Sequence, residues 1–178
     1  VKYLKKKGHK KIAYAVPDVL TKGERIQPRS IAYKNIMLQE LGEKKFEKYL
    51  IASQKEGVKL LENRNCFEEG GCAADEFARK HCDATAVICY NDEYALGMIY
   101  RLEKLGYKIP QDVSVIGIDG LKKRNLFVPR LTSVSINTKM QACSCVDVVI
   151  AMIEGKKVGR FIPIKPQIIE GDSVRDLM

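Results

Sequence analysis

The clearest pattern of apolar and polar positions lies in the middle of the chain. Ala86–Tyr90 is a continuous apolar run, which is typical of a strand covered on both faces. From Asn91 the apolar residues recur at helical spacing, and this pattern ends at Gly106. A second apolar run, Val113–Ile118, follows. The segment therefore predicts a strand–helix–strand unit, whose crossover is expected to be right-handed.

Weaker periodic segments on both sides of this unit continue the alternation. In chain order they predict a helix over Val1–Lys7, a strand over Lys11–Val16, a helix over Arg29–Leu41, a strand over Tyr49–Ser53, a helix over Gly71–Cys82, an extended segment over Thr132–Ile136, a helix over Thr138–Ile153 and an extended segment over Phe161–Glu170. Two prolines in the last segment favour an edge or crossing strand. Repeated units of this kind predict an α/β fold, a parallel sheet with helices on both faces.

Composition narrows the class of protein. The chain has 178 residues, of which 46% are hydrophobic and 30% charged, enough for one α/β domain with a sizeable core. No apolar run approaches the roughly 20 residues that span a bilayer, and no apolar segment typical of a secretory signal follows the basic start. The six cysteines include no C-x-x-C pair. We interpret them as reduced thiols of a cytoplasmic protein, and we predict no metal site and no contact with a membrane.

The net charge of +9 raises the question whether the chain binds nucleic acid directly. Much of this charge is concentrated at the start of the chain, in Lys5, Lys6, Lys7, Lys10 and Lys11. Cations are favourable at the C-terminal end of a helix, and no aromatic residues alternate with them as base stacking would require. A solvated helix end is therefore favoured over a nucleic-acid groove.

Polar residues mark one edge of the predicted sheet. In an open parallel sheet, ligands bind outside the carboxyl ends of the strands. Asn91 and Asp92 directly follow one central strand, Asp119 follows the next, and Arg29 opens the helix after the first strand. Carboxylate and amide oxygens accept from hydroxyl groups, and a guanidinium donates to neighbouring oxygens. This set suits a small polyhydroxyl ligand.

Each of these residues also has a structural alternative. Asn91 is a good N-cap, Asp92 suits the first turn of a helix, and Arg29 suits an exposed helix start. Tyr90 is equally suited to the core or to the rim of a site. Asp119 is the strongest ligand candidate, because an acid directly after an apolar strand needs a partner.

Motifs of the common enzyme classes are absent from the sequence. It contains no G-x-G-x-x-G, no Walker A motif and no G-x-S-x-G. Neither His9 nor His81 lies near the predicted ligand edge. Asp92 and Asp119 could form a carboxylate pair, but the sequence indicates no site for a water or a leaving group. We therefore predict no enzyme, no catalytic residue and no cofactor.

Residues 87–119 closely resemble the LacI/GalR family of bacterial repressors. The resemblance lies in N-D-x-x-A-L-G from Asn91, in L-G-x-x-I-P-x-D-V-S-V-I-G up to Gly117, and in Asp119. GHKKIAYAV is similar to the family's G-H-R-x-I-A strand, and PRSIAYKNIM is similar to its R-x-x-G-Y helix, with Ala32 in place of the glycine. The resemblance extends over essentially the whole chain.

The resemblance implies a periplasmic-binding-protein-like fold of type I, with two α/β subdomains and an effector in the cleft between them. Residues 1–135 would belong to the C-terminal subdomain, 136–163 to the N-terminal subdomain, and 164–178 to the C-terminal one again. The DNA-binding headpiece and most of the first subdomain would lie outside this sequence. We therefore expect the apolar side of the helix Thr138–Ile153 to be exposed or covered by a partner copy.

The family's effector contacts correspond to Arg29, Asn91 and Asp119. At two further positions of the site this sequence departs from the family. Tyr90 is bulkier than the residue that usually precedes N-D, and Ile136 stands where a glutamine is usual. An aliphatic side chain forms no hydrogen bonds, so these departures imply an unusual ligand with one less polar face. The family's dimer contact corresponds to a cluster of apolar residues, which are Tyr94, Met98, Tyr100 and Phe127.

The sequence is thus expected to be the ligand-sensing domain of a transcriptional regulator. A small effector, expected to be a sugar, would change the affinity of a cytoplasmic homodimer for operator DNA through the headpiece. The main alternative is a periplasmic sugar-binding protein of a transporter, which shares the two-subdomain architecture. A third interpretation is a small flavodoxin-like enzyme, which predicts a bound cofactor.

Overall fold

The computed structural model describes residues 1–17, 28–42, 46–53, 65–159 and 161–178. Its α-helices are α1 (Lys2–Lys6), α2 (Pro28–Leu41), α3 (Cys66–Arg79), α4 (Asp92–Lys104) and α5 (Thr138–Ile153). Its strands are β1 (Ile12–Val16), β2 (Leu50–Ala52), β3 (Ala86–Cys89), β4 (Ser114–Asp119), β5 (Thr132–Ser135) and β6 (Gln167–Ile169). Two short 3₁₀ segments cover Phe46–Tyr49 and Lys122–Leu126.

The strands form one six-stranded sheet in the order β2-β1-β3-β4-β5-β6. All neighbouring pairs are parallel except β5 and β6, which are antiparallel. The predicted α/β class is confirmed, and the sheet is mixed rather than wholly parallel. The antiparallel strand lies at the edge, in the proline-containing segment where an edge strand was predicted.

Helix α3 begins earlier than its apolar pattern predicts. Asn65 caps it by accepting a hydrogen bond from the backbone N–H of Glu68 at 2.9 Å. The predicted start at Gly71 is therefore wrong by about one turn and a half, and Cys66 is the first residue of the helix. Asn65 and Glu68 have the spacing of a capping box, which is a sequence signal for this start.

Two glycines let α3 and α4 approach until their backbones touch. A Cβ atom on Gly70 would collide with the carbonyl of Tyr94, and a Cβ atom on Gly97 would collide with the carbonyl of Phe67. The two helices therefore pack at a distance that larger side chains would prevent. This contact buries a second side of α4 in addition to the side that faces the sheet.

The tight packing of α4 corrects part of the predicted dimer contact. Tyr94 and Met98 are completely buried in the core of the chain itself. They offer no surface to a second copy, so their assignment to an interface is wrong. Tyr100 remains half-exposed and Phe127 is partly buried, and both ring centroids lie within 6.4 Å of that of Phe67.

Helix α5 stands apart from this core, because none of its residues is buried. Large apolar side chains on it are exposed, as expected; they are Met140, Val146, Val149, Ile150, Met152 and Ile153. A groove of about 620 Å³ runs between this helix and the segment 161–164. Its wall includes Val149, Phe161 and Ile162. An apolar helix with most of its large side chains exposed is unusual for a chain that folds alone.

Candidate functional site

Arg29 lies in the first turn of α2, and its guanidinium reaches across to the end of β3. Its Nη1 donates to the backbone carbonyl of Tyr90 at 2.8 Å, and its Cζ lies 5.6 Å from the centre of the Tyr90 ring. A cation at this distance from an aromatic ring is attracted to it. Two contacts with one residue therefore hold the guanidinium at the carboxyl edge of the sheet.

Asp119 ends β4, and its carboxylate faces the same guanidinium. The Oδ1 atom of Asp119 lies 3.9 Å from Nη2 of Arg29. This distance exceeds a hydrogen bond, and both side chains keep part of their surface exposed, 40% for Arg29 and 27% for Asp119. Burial raises the pKa of the Asp119 carboxyl, and the positive charge of Arg29 opposes this rise. A donor and an acceptor thus stand side by side at an accessible edge.

Asn91 lies next to this pair in the chain, but its amide already has partners. Its Oδ1 accepts from the backbone N–H of Tyr94 at 2.8 Å, which caps α4. Its Nδ2 lies 3.5 Å from the sulfur of Cys66, a weak acceptor. The structural alternative for Asn91 is therefore present in the structure, and the partner of its Nδ2 is a weak acceptor that a ligand oxygen could replace. Cys66 was missed because the predicted helix started after it.

The two departures from the family pattern lie beside the pair. The Tyr90 ring is partly buried and stacks at its edge against Tyr94, with centroids 6.5 Å apart. Ile136 follows Ser135, the residue that pairs with Asp119 in the sheet. The backbone carbonyl of Ile136 accepts from Nε2 of Gln141 at 2.6 Å. The Tyr90 ring therefore contacts Arg29 directly, and Ile136 directly follows the strand residue that pairs with Asp119.

Asp92 has a structural role that its position in the first helical turn does not reveal. Its side chain is completely buried and accepts hydrogen bonds from Ser133 and from the backbone N–H of Leu121. Burial raises the pKa of Asp92, and these hydrogen bonds oppose the rise. Ser133 was not singled out by the sequence, since a serine within a short strand carries no distinctive signal.

The part of the chain that the structure describes gives little support to a metal site, a membrane span or a nucleic-acid site. Within the described ranges, no three His, Cys, Asp or Glu side chains are grouped as metal ligands would be. None of the helices described is long and apolar enough to cross a membrane. The lysines near the start are largely paired: Lys5 with Glu40, Lys7 with Asp176 and Lys11 with Asp83.

The sheet and its polar edge define a class of protein, the α/β ligand-binding domains whose site lies at the carboxyl ends of the strands. The sequence matches the family described as "Periplasmic binding protein-like domain" over residues 1–174. The chain therefore belongs to this family, and its relatives identify it as an effector-binding domain of the LacI/GalR type.

The relatives include repressors of known sequence and solved structure. The chain is 37% identical over 128 residues to the HTH-type transcriptional repressor PurR of Vibrio cholerae serotype O1, which covers 67% of this chain and 38% of that protein. The crystal structure of the Escherichia coli transcriptional repressor AscG superposes with a TM-score of 0.77 at 24% identity, covering 97% of this chain and 58% of that one. A LacI family transcriptional regulator from Enterococcus faecium with bound ribose gives a TM-score of 0.75 at 22% identity, with coverages of 99% and 60%.

Proposed function

We propose that this chain binds a small polyhydroxyl ligand, a sugar, and that this binding changes the affinity of a transcriptional regulator for DNA. Arg29 and Asp119 are the ligand-binding residues at the centre of this proposal, with Nδ2 of Asn91 as a third contact. Tyr90 and Ile136 would line the less polar side of the ligand. Because the chain spans only 38% of the length of the PurR relative, the activity of the whole protein is part of the proposal.

The observation that carries the proposal is the gap between Arg29 and Asp119. Their nearest charged atoms are 3.9 Å apart, so no direct hydrogen bond has to break before a ligand binds. A hydroxyl group can donate to the carboxylate while an adjacent hydroxyl accepts from the guanidinium. Hydrogen bonds to charged groups are the stronger ones, which offsets the cost of taking a sugar out of water. The ribose held by the Enterococcus faecium regulator supports a ligand of this size and chemistry.

The exposed face of α5 supports the proposed two-subdomain organisation. In this proposal, residues 1–135 and 164–178 form one subdomain, and 136–163 contribute to a second one. The apolar side chains of α5 would pack against the remainder of that second subdomain in a longer protein. The ligand would then be enclosed between the two, and closure of the cleft would favour one arrangement of the regulator over the other.

A homodimer is the assembly that best fits the surface around α4. Tyr100 is 50% exposed, Leu126 81% and Val128 89%, and the first of these contacts the ring of Phe67. Apolar residues grouped on a surface in this way mark an interface more often than solitary ones do. The regulator would act in the cytoplasm, where its operator DNA lies, through a headpiece outside this sequence.

The alternative, a sugar-binding protein of a transporter, shares the fold but is not favoured. The relatives in sequence and structure are transcriptional repressors and regulators. The free cysteines found in the described residues also suit a reducing compartment better than the periplasm.

The test of this proposal is a DNA-binding measurement on the longer protein that includes the segment preceding Val1. Fluorescence anisotropy with DNA from its own upstream region would be recorded with and without each of a set of saccharides. We expect one saccharide to change the DNA affinity by about 5- to 150-fold, the usual range of allosteric coupling. The Arg29→Ala variant should bind DNA but lose this response. A protein that binds no DNA, or that responds equally without Arg29, would contradict the proposal.

A further inference from the structure

Asp92 joins three elements that meet behind the candidate site. It is the first residue of α4, and its side chain has no exposed surface. Its Oδ1 accepts from Oγ of Ser133 on β5 at 2.5 Å, and its Oδ2 accepts from the backbone N–H of Leu121 at 2.6 Å. Both oxygens are thus used by residues far away in the chain, rather than by solvent or by the helix that contains them.

The residues held by Asp92 are those that follow Asp119. The backbone N–H of Gly120 donates to Oγ of Ser133 at 3.1 Å, and the next N–H, of Leu121, donates to Asp92 itself. Directly or through Ser133, the Asp92 carboxylate therefore holds both amides after Asp119.

The backbone at Asp119 needs such support. Asp119 has a φ of 119°, a region that residues with a side chain rarely adopt, and Gly120 follows with a φ of 75°. Backbone of this kind persists only where the surrounding structure holds it. These two consecutive residues with positive φ lie at the end of β4, where the Asp119 carboxylate faces Arg29. Without the two held amides, this backbone would relax and the carboxylate would move.

We infer that Asp92, acting through Ser133, is a positioning residue that fixes the Asp119 carboxylate opposite Arg29. The inference rests on the proposed function only in taking Asp119 as a ligand-binding residue. Asp92 itself lies too deep to touch a ligand. Its contribution is to keep Asp119 in one place before the ligand arrives, which avoids the cost of ordering it on binding.

The test uses hydroxyl variants that leave both carboxylates unchanged. Ser133→Ala removes the hydroxyl through which Asp92 is linked to Gly120, whereas Ser133→Thr retains it. Ser114→Ala is the matched control, since Ser114 is an equally buried serine at the start of β4, the strand that ends at Asp119, where it accepts from the backbone N–H of Arg175 at 3.0 Å. Asp92→Asn removes the charge and one acceptor, and urea unfolding would report the stability of every variant.

The first readout is amide hydrogen exchange of the longer protein by NMR, which needs no ligand. In Ser133→Ala we expect exchange at Gly120, and in Asp92→Asn exchange at Leu121, to become about tenfold faster or more, the effect of losing a hydrogen bond of ordinary net strength. The amide signal of Asp119 should shift as well. Ser133→Thr and Ser114→Ala should change neither the exchange rates of Gly120 and Leu121 nor the amide signal of Asp119. Unchanged amides in Ser133→Ala, or an equal change in Ser114→Ala, would overturn the inference.

The second readout is the affinity of the longer protein for D-ribose, which serves as the probe in calorimetry. Ser133→Ala and Asp92→Asn should weaken ribose binding by about tenfold, although both variants retain Arg29. Ser133→Thr and Ser114→Ala should bind ribose as tightly as the wild type does. Full ribose affinity in Ser133→Ala would count against a positioning role. If the wild type itself does not bind ribose, the proposed ligand loses support, and the amide measurement alone decides the inference about Asp92.

Discussion

Arg29 donates a hydrogen bond of 2.8 Å to the backbone carbonyl of Tyr90, the residue that follows β3. This bond fixes the start of α2 to the end of a central strand and turns the guanidinium towards Asp119 on the neighbouring strand. Because the acceptor is a backbone atom, this bond depends on the path of the chain, whereas the second contact of Arg29, with the Tyr90 ring, depends on the side chain at residue 90. The candidate site is therefore built on the carboxyl edge of the sheet.

The glycines between α3 and α4 provide a sharp test of the fold. Gly70→Ala should lower the free energy of unfolding by about 1–3 kcal/mol or more, because the new methyl group meets the backbone of Tyr94. Gly71→Ala is the matched control, since the nearest atom, Cβ of Arg101, would lie at an ordinary contact distance of 3.8 Å. That variant should be neutral or more stable by up to about 1 kcal/mol, from helix propensity.

Urea unfolding followed by circular dichroism would measure both variants. Equal stability of Gly70→Ala and Gly71→Ala would mean that the two helices do not pack as closely as the structure has them.

The two histidines allow a test of pH dependence. His9 is completely buried, with Nδ1 2.9 Å from Oγ1 of Thr85 and Nε2 3.2 Å from the carbonyl oxygen of Arg175. Burial lowers the pKa of His9 below its ordinary value. The unfolded chain therefore takes up a proton near pH 6.5 while the folded chain does not. Stability from this group is complete above that pH and is lost as the pH falls below it, by up to about 1.4 kcal/mol per pH unit.

Unfolding free energies at pH 7.5, 6.5 and 5.5 would measure this loss. The His9→Gln variant should lose this part of the pH dependence, whereas His81→Gln, which changes an exposed residue, should keep it. The same slope in His9→Gln as in the wild type would show that another group is responsible.

Tyr100 allows a test of the proposed homodimer interface. Tyr100→Glu places a charge in the aromatic group formed with Phe67 and Phe127, so it should weaken self-association by about tenfold or more. Gln111→Glu makes the same change in charge at an exposed position just before β4 and should have no effect. Sedimentation velocity over a range of concentrations would compare the two. Identical behaviour of both variants and the wild type would argue against this surface.

The sequence predicts the central strand–helix–strand unit well, because its apolar runs are long and its boundaries are marked by Asn91 and Gly106. It also predicts the edge at which Arg29 and Asp119 meet, since that edge follows from the order of strands and helices. The exposed side of α5 was likewise expected. These features depend on local pattern and on topology, which the sequence carries directly.

Features that depend on contacts between distant segments were missed or misjudged. Tyr94 and Met98 were expected at an interface because the periodicity of α4 cannot tell that α3 covers a second side of it. The role of Asp92 was missed because its partners, Ser133 and Leu121, lie more than 25 residues away. Such contacts become visible only when the chain is folded.

The central claim is that a saccharide binds between Arg29 and Asp119. Its most direct test is a thermal-shift titration of the longer protein with mono- and disaccharides, purines and phosphosugars, repeated for Arg29→Ala, Asp119→Asn and the control Lys34→Ala on the same helix. We expect at least one saccharide to stabilise the wild type and Lys34→Ala, and its affinity to fall by about 10- to 150-fold in the other two variants, the loss of a hydrogen bond to a charged group. Stabilisation by no saccharide, or by one whose affinity does not depend on Arg29 and Asp119, would contradict the claim.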